Sequence, residues 1–199
     1  MPIETIIEQS SVVSGQWSAD EEILTDTGFF WREKNDVKVL VCRELENAGF
    51  VNGFSTRLGG VSVLSEPPVS AGGQVAGDLN LAGFDDDLAE NIYENRRRFL
   101  AVFGGERQLA TAWQVHGDTI KTVATDADIR NSEEHADALV SELEDVLVGV
   151  KTADCVPILI GDPTTRAFAA VHAGWRGTVQ SIVAKAVKNR NISFLISEN

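Results

Sequence analysis

Cysteine, histidine and tyrosine are scarce in this chain: 199 residues hold two cysteines, three histidines, one methionine and one tyrosine. Two cysteines, Cys42 and Cys155, are too few for the disulfide framework of a small secreted scaffold. Basic residues are also short, 17 against 30 acids, for a net charge of −13. Nucleic acids and anionic membranes are read through a basic footprint, so neither is an expected partner. No stretch reaches the length of about 18 apolar residues that a membrane helix needs. The opening MPIETIIEQSSVV carries neither a basic region nor an apolar core of the secretory type. Cytoplasm is therefore the expected location, with both thiols reduced.

What remains is ordinary for a globular protein, with 43% hydrophobic and 24% charged residues. The length suits one domain. Residues 1–28 are polar and weakly patterned and read as an irregular lead-in; 29–199 read as the domain proper. GFFWRE and VKVLVC look like strands, RELENAGF a polar turn or short helix, and VNGFSTR a further strand leading into LGGVS. LSEPPVSAGGQVAGD, residues 64 to 78, has the composition of a surface loop. DDDLAENIYENRRRFLAVFG predicts a helix, with Asp85 to Asp87 at its start, Leu88, Ile92, Phe99 and Leu100 on one face, and Gly104 and Gly105 as its stop. QLATAWQVHGDTIKTV suggests two short strands around a turn at His116 and Gly117. VLVGV, VPILI and AFAAV are β-branched, apolar runs expected in a well-buried sheet. Val179, Ile182, Val183, Ala186 and Val187 follow the 3.6-residue period of a last helix, and NISFLI reads as one more strand. The mixture points to an α/β (α+β) fold with mixed sheets.

Chemistry gathers at a few turns. His116 lies in WQVHGD, Cys155 in KTADC and His172 in VHAGWRG, each where a strand ends or a turn begins. No local metal motif such as CxxC or HExxH joins them, so only the fold can bring them together. A thiolate with two imidazoles suits zinc, and three protein ligands leave a fourth position for water, whose pKa zinc brings to about 7. Asp118 and Asp154 are candidate partners for an imidazole N–H. The plainer alternatives are turn histidines and a small buried Cys155, or a Cys155–His172 nucleophile pair. His135, in EEHADA, reads as solvated. Arg57 with the Gly-Gly pair of FSTRLGGVS, and Arg176 at the start of the last helix, could hold an anion; a turn and a surface ion pair are the alternatives. Trp113 and Trp175 flank the histidines and could wall a pocket for a flat ring, although tryptophans more often fill cores.

FSTRLGGVS, LNLAG, ENRRRF, WQVHGD, ADALVS, VKTADCVPILI and AVHAGWRGT occur in this order in the laccase-domain or polyphenol oxidase family of the YfiH type, which this chain resembles over residues 50 to 190. The resemblance implies a single α/β domain, with mixed sheets packed against helices in a layered sandwich like that of a deamidating bacterial toxin. It implies purine nucleoside phosphorylase activity on adenosine, inosine and methylthioadenosine, with adenosine deaminase activity. It also implies metal ligation by His116, Cys155 and His172, with zinc, or alternatively copper, as cofactor. Arg57 and Asn80 match polar family positions near the metal and are expected to be catalytic. Arg57, Arg176 and Trp175 are the expected phosphate and substrate contacts. A multicopper centre needs many histidines, and three support one mononuclear site at most. Family members continue beyond the point matching Asn199 with a GPxI-type and a YEVG-like segment, so a shortened chain is expected. Purine nucleoside and phosphate are the implied partners, with the protein a monomer or homodimer. The competing expectations are a metal-free Cys–His hydrolase, a copper-dependent polyphenol oxidase and an inactive, truncated binding protein.

Overall fold

A computed structural model describes Leu24, residues 27–64 and residues 77–189. Most of the lead-in, the centre of the 64–78 loop and the NISFLI run lie outside these residues. The described residues fold as a mixed α/β structure whose strands form four sheets.

The first sheet is antiparallel. β1 (Phe29–Lys34) and β2 (Val37–Cys42) form a hairpin, and β3 (Phe54–Ser55) pairs with β2. Asn35 and Asp36 supply the two left-handed residues of the hairpin turn. Val37, Val39 and Val41 alternate into a core shared with Leu79, Val102, Phe99 and Phe103. A short helix α1 (Arg43–Asn47) follows β2. Of the VNGFSTR run only the pair Phe54–Ser55 is paired as a strand.

β4 (Leu58–Gly60) and β5 (Gly77–Asp78) form a two-stranded sheet. Its glycines are required by close approach: a Cβ on Gly60 would sit 2.0 Å from the Asp78 carbonyl oxygen. Gly59 has φ +89° and backbone of Asp36 within 2.4 Å of the same position. Gly60→Ala is therefore expected to destabilise the protein by about 3 kcal/mol, read as a lower midpoint in urea denaturation.

α2 (Ala89–Val102) begins later than Asp85–Asp87 suggested. Its N-cap is Leu88, in extended conformation and without a side-chain cap. The Asp87 carboxylate is engaged instead by Ser62 Oγ at 2.5 Å, Asn80 Nδ2 at 3.1 Å and Asn91 Nδ2 at 2.8 Å. Leu88 is exposed, and the buried face carries Ile92, Asn95 and Val102. Gly104 and Gly105, both left-handed, follow the helix as expected.

The central sheet has the order β10 (Val156–Gly161), β11 (Phe168–Ala173), β8 (Ala138–Ser141), β7 (Ile120–Val123), all antiparallel except the parallel β7–β8 pair. β6 (Gln108–Ala110) pairs in parallel with β9 (Val146–Val148). The two strands flanking His116 thus belong to different sheets. β8 is buried on both faces: Ala138 and Val140 meet Val171, Ile182 and Ala186, while Leu139 meets Ala110, Ala112 and Val146. α3 (Asp126–Arg130) is held by a Thr125–Asp128 capping box.

The last helix is two helices, α4 (Trp175–Val179) and α5 (Ile182–Asn189). Ser181, at φ 61°, breaks the run, and Val179 is left exposed. The apolar period therefore starts at Ile182. Among the described residues no helix is long and apolar enough to cross a membrane.

Candidate metal centre

His116, Cys155 and His172 come together at one edge of the central sheet. One ligand atom from each lies within 4.8 Å of the other two. The imidazole centroids are 4.9 Å apart and nearly perpendicular, at 79°. His172 stands near the end of β11, opposite Pro157, and is buried. Cys155 is half-buried immediately before β10, and His116 is exposed on the β6–β7 connection. Both cysteines carry free thiols. A Cβ on Gly174 would lie 3.3 Å from Cys155 Sγ, 3.4 Å from His116 Cδ2 and 3.7 Å from His172 Cε1. The glycine lets the backbone pass directly against the trio, where any side chain would crowd it.

The organising residue is Asp137, immediately before β8. His172 Nδ1 lies 2.8 Å from Asp137 Oδ1. The same carboxylate accepts from the backbone N–H groups of Val115, His116 and Gly117 at 3.2, 2.9 and 2.7 Å. One buried side chain thus orients one imidazole and pins the loop carrying the other. His116 is held left-handed at φ 58°, a conformation a non-glycine residue keeps only when its surroundings enforce it. Burial works against the charged form of Asp137, yet the His172 ring and the three N–H groups outweigh it and hold the carboxyl below the ordinary aspartate range. With Nδ1 engaged, Nε2 is the His172 nitrogen left for a ligand.

The expected imidazole partners were Asp118 and Asp154. Asp118 instead pairs with Lys185 of α5, and Asp154 is exposed. The signal that marks Asp137 is its place in the buried run 136–140, where a carboxylate needs partners to be tolerated.

The other candidates lie in separate arrangements. Arg57 Nε pairs with Asp78 at 2.6 Å, its side chain 59% exposed. Asn80 caps its own turn, accepting from the Ala82 and Gly83 N–H groups. Buried Asn95 ties both regions together, donating to Ser62 Oγ and to the carbonyls of Asp78 and Asn80 while accepting from Val61 N–H. Trp175 and Arg176 open α4 directly after Gly174, with the guanidinium 5.2 Å over the indole. Trp113 and Trp175 are both exposed, contrary to a core role. His135 is exposed, as expected.

A thiol and two imidazoles, convergent and with one ring oriented by a carboxylate, form a donor set compatible with a transition-metal ion.

Residues 51–196 match the family model described as multi-copper polyphenol oxidoreductase laccase. A purine nucleoside phosphorylase of Deinococcus radiodurans is 37% identical over 143 residues, 71% of this chain and 50% of that protein. Purine nucleoside phosphorylase YfiH of Escherichia coli is 31% identical over 152 residues, 75% of this chain and 56% of its own. An adenosine deaminase, RL5, from an unknown prokaryotic organism is 34% identical over 67% of this chain. Among solved structures, YlmD from Geobacillus stearothermophilus is similar with a TM-score of 0.65 and 27% identity, over 81% of this chain and 59% of that one. The Bacillus licheniformis protein YfiH matches with the same TM-score. The chain spans about half the length of the curated relatives it matches.

Proposed function

The chain belongs to the multi-copper polyphenol oxidoreductase laccase family, and from that premise we propose that it is a zinc-dependent purine nucleoside phosphorylase with adenosine deaminase activity. The observation that carries this reading is the convergence of His116, Cys155 and His172, with His172 Nδ1 already engaged by Asp137. Three histidines in all are too few for a multinuclear copper centre, so the reading takes one mononuclear ion, zinc in preference to copper. Bound by the trio, zinc supplies a Lewis acid beside the substrate.

Phosphorolysis breaks the C1′–N9 bond of the nucleoside and joins a phosphate oxygen to C1′. The ribose passes through a positively charged state, and the purine leaves with a proton. In this reading the chain's own residues divide the work. Arg57, only partly engaged by Asp78, and Arg176 offer cations to phosphate. Trp175 presents an exposed indole on which a purine ring stacks. Asn80 holds the 80–83 turn and orients the loop beside Arg57. The active form is a monomer or homodimer in the cytoplasm.

Chromatography of inosine, adenosine and methylthioadenosine with metal-replete protein tests this. Free base should form only when phosphate is present, together with ribose 1-phosphate from inosine and adenosine and 5-methylthioribose 1-phosphate from methylthioadenosine. Intact nucleosides after prolonged incubation count against the reading.

A second reading has its own support. Cys155, His172 and Asp137 are ordered as nucleophile, base and orienting carboxylate, which suits a metal-free hydrolase. Iodoacetamide separates the two. A thiolate held by metal should alkylate slowly until a chelator is added, whereas a free nucleophile should react at once and ignore the chelator.

A further inference from the structure

A cavity of about 470 Å³ lies between the first sheet and the central sheet, and none of the three trio residues lines it. Its walls are largely apolar, with Phe54, Phe99, Phe103, Leu147 and Leu159 among them. Two cations, Arg96 from α2 and Lys151 from the loop before Cys155, also line it, together with the amide of Asn80. Both cations are half-buried.

Their partners are unusual. Arg96 Nε donates to the Leu81 carbonyl at 2.8 Å, and its guanidinium lies 5.3 Å over the Phe84 ring. Lys151 Nζ donates to the Ala112 carbonyl at 3.1 Å. Among the described residues no carboxylate lies within ion-pair distance of either group, and Glu133 acts on Lys151 only from further away. Burial is the main influence lowering the Lys151 ammonium below the ordinary lysine range, and the positive charge of Arg96 adds to it. Burial lowers Arg96 as well. Two desolvated like charges facing one apolar chamber are unfavourable unless an anion joins them.

We propose that this cavity binds a small amphipathic organic anion, its phosphate or carboxylate head between Arg96 and Lys151 and its apolar body along the phenylalanine wall. The volume suits such a molecule, since small-ligand sites run from about 300 to 1,000 Å³. Inorganic phosphate alone would leave most of the apolar wall uncovered. The site is distinct from the trio and does not rest on the nucleoside reading. It is nonetheless joined to the trio's loops. Lys151 exchanges two hydrogen bonds of 2.7 Å with the Gln114 side chain. Gln114 stands two residues before His116, at most about 7 Å of extended chain.

Calorimetric titration of the full chain with octyl phosphate, octanoate and octan-1-ol tests the proposal. Both anions, or whichever head the site selects, should bind one per chain and at least about tenfold more tightly than the alcohol. Tighter octyl phosphate identifies a phosphate ester as the natural head, and tighter octanoate a carboxylate. Arg96→Met and Lys151→Met should each weaken the anion by about tenfold or more and leave the alcohol unchanged. Arg96→Lys and Lys151→Arg should keep most of the affinity. If the methionine variants do not fold, salt decides on the wild type: raising sodium chloride must weaken the anion and not the alcohol. Equal binding of alcohol and anions, insensitivity to salt and to both variants, or no binding at all overturns the proposal.

Discussion

Replacing Cys155 with alanine is expected to abolish metal retention. The wild-type protein, purified without a tag, should carry about one zinc per chain by mass spectrometry, and Cys155→Ala less than about a tenth of that. The thiolate is the only anionic donor in the trio. Without it, two imidazoles remain, one of them solvent-exposed. His172→Ala should have a similar effect, with an added loss of stability, because it takes one of four hydrogen bonds from the buried Asp137 carboxylate. Copper in place of zinc in the wild type would move the chemistry towards oxidation. The absence of any metal from both proteins would leave the cysteine hydrolase as the better account.

Asp137→Asn carries the second large effect. It should lower metal affinity by about 10- to 100-fold, the usual consequence of removing a carboxylate that orients a ligating histidine. It should also destabilise the fold by about 3 kcal/mol, since the new amide presents donors where the carboxylate accepted from three N–H groups and a ring nitrogen. The pH dependence gives a separate signature. The Asp137 carboxyl is held below the ordinary aspartate range in the native state. Its contribution is therefore fully present above about pH 3.9, the unfolded value, and is lost as pH falls through the lower native value. Wild-type and Asp137→Asn stability curves should lie apart near neutrality and converge in acid, as followed by urea denaturation across pH. A constant gap at all pH values would mean that the carboxylate is not the source of the effect.

The strands of the central sheet are plain in the sequence, because VPILI and AFAAV combine β-branched residues with turn signals at both ends. Val37, Val39 and Val41 announce their alternation equally clearly. Other features depend on contacts that no local pattern contains. Asp87 looks like a helix cap, yet Ser62, 25 residues away, and Asn80 compete for its oxygens. Val179 fits the helical period, but the left-handed Ser181 puts it on a different helix. His116, Cys155 and His172 stand out because histidine and cysteine are rare here and these three sit at strand ends. Their partner does not stand out, because Asp118 and Asp154 are nearer in sequence to the ligands. Asp137 becomes the partner only once β8 lies beside β11, and that pairing is tertiary.

The position of Asp137 also sets how the centre fails on heating. β8 is the partition between two cores, covered on both faces. Amides there open to solvent only when a large part of the molecule unfolds. The hydrogen bonds to residues 115–117 and to His172 share that protection, although the loop itself lies at the surface. The short α4 packs on the same loop, where a Cβ on Gly177 would lie 2.7 Å from the Gly117 carbonyl oxygen. Thermal loss of the centre should therefore be a single, late, cooperative event, its half-life set by the unfolding rate of the whole sheet.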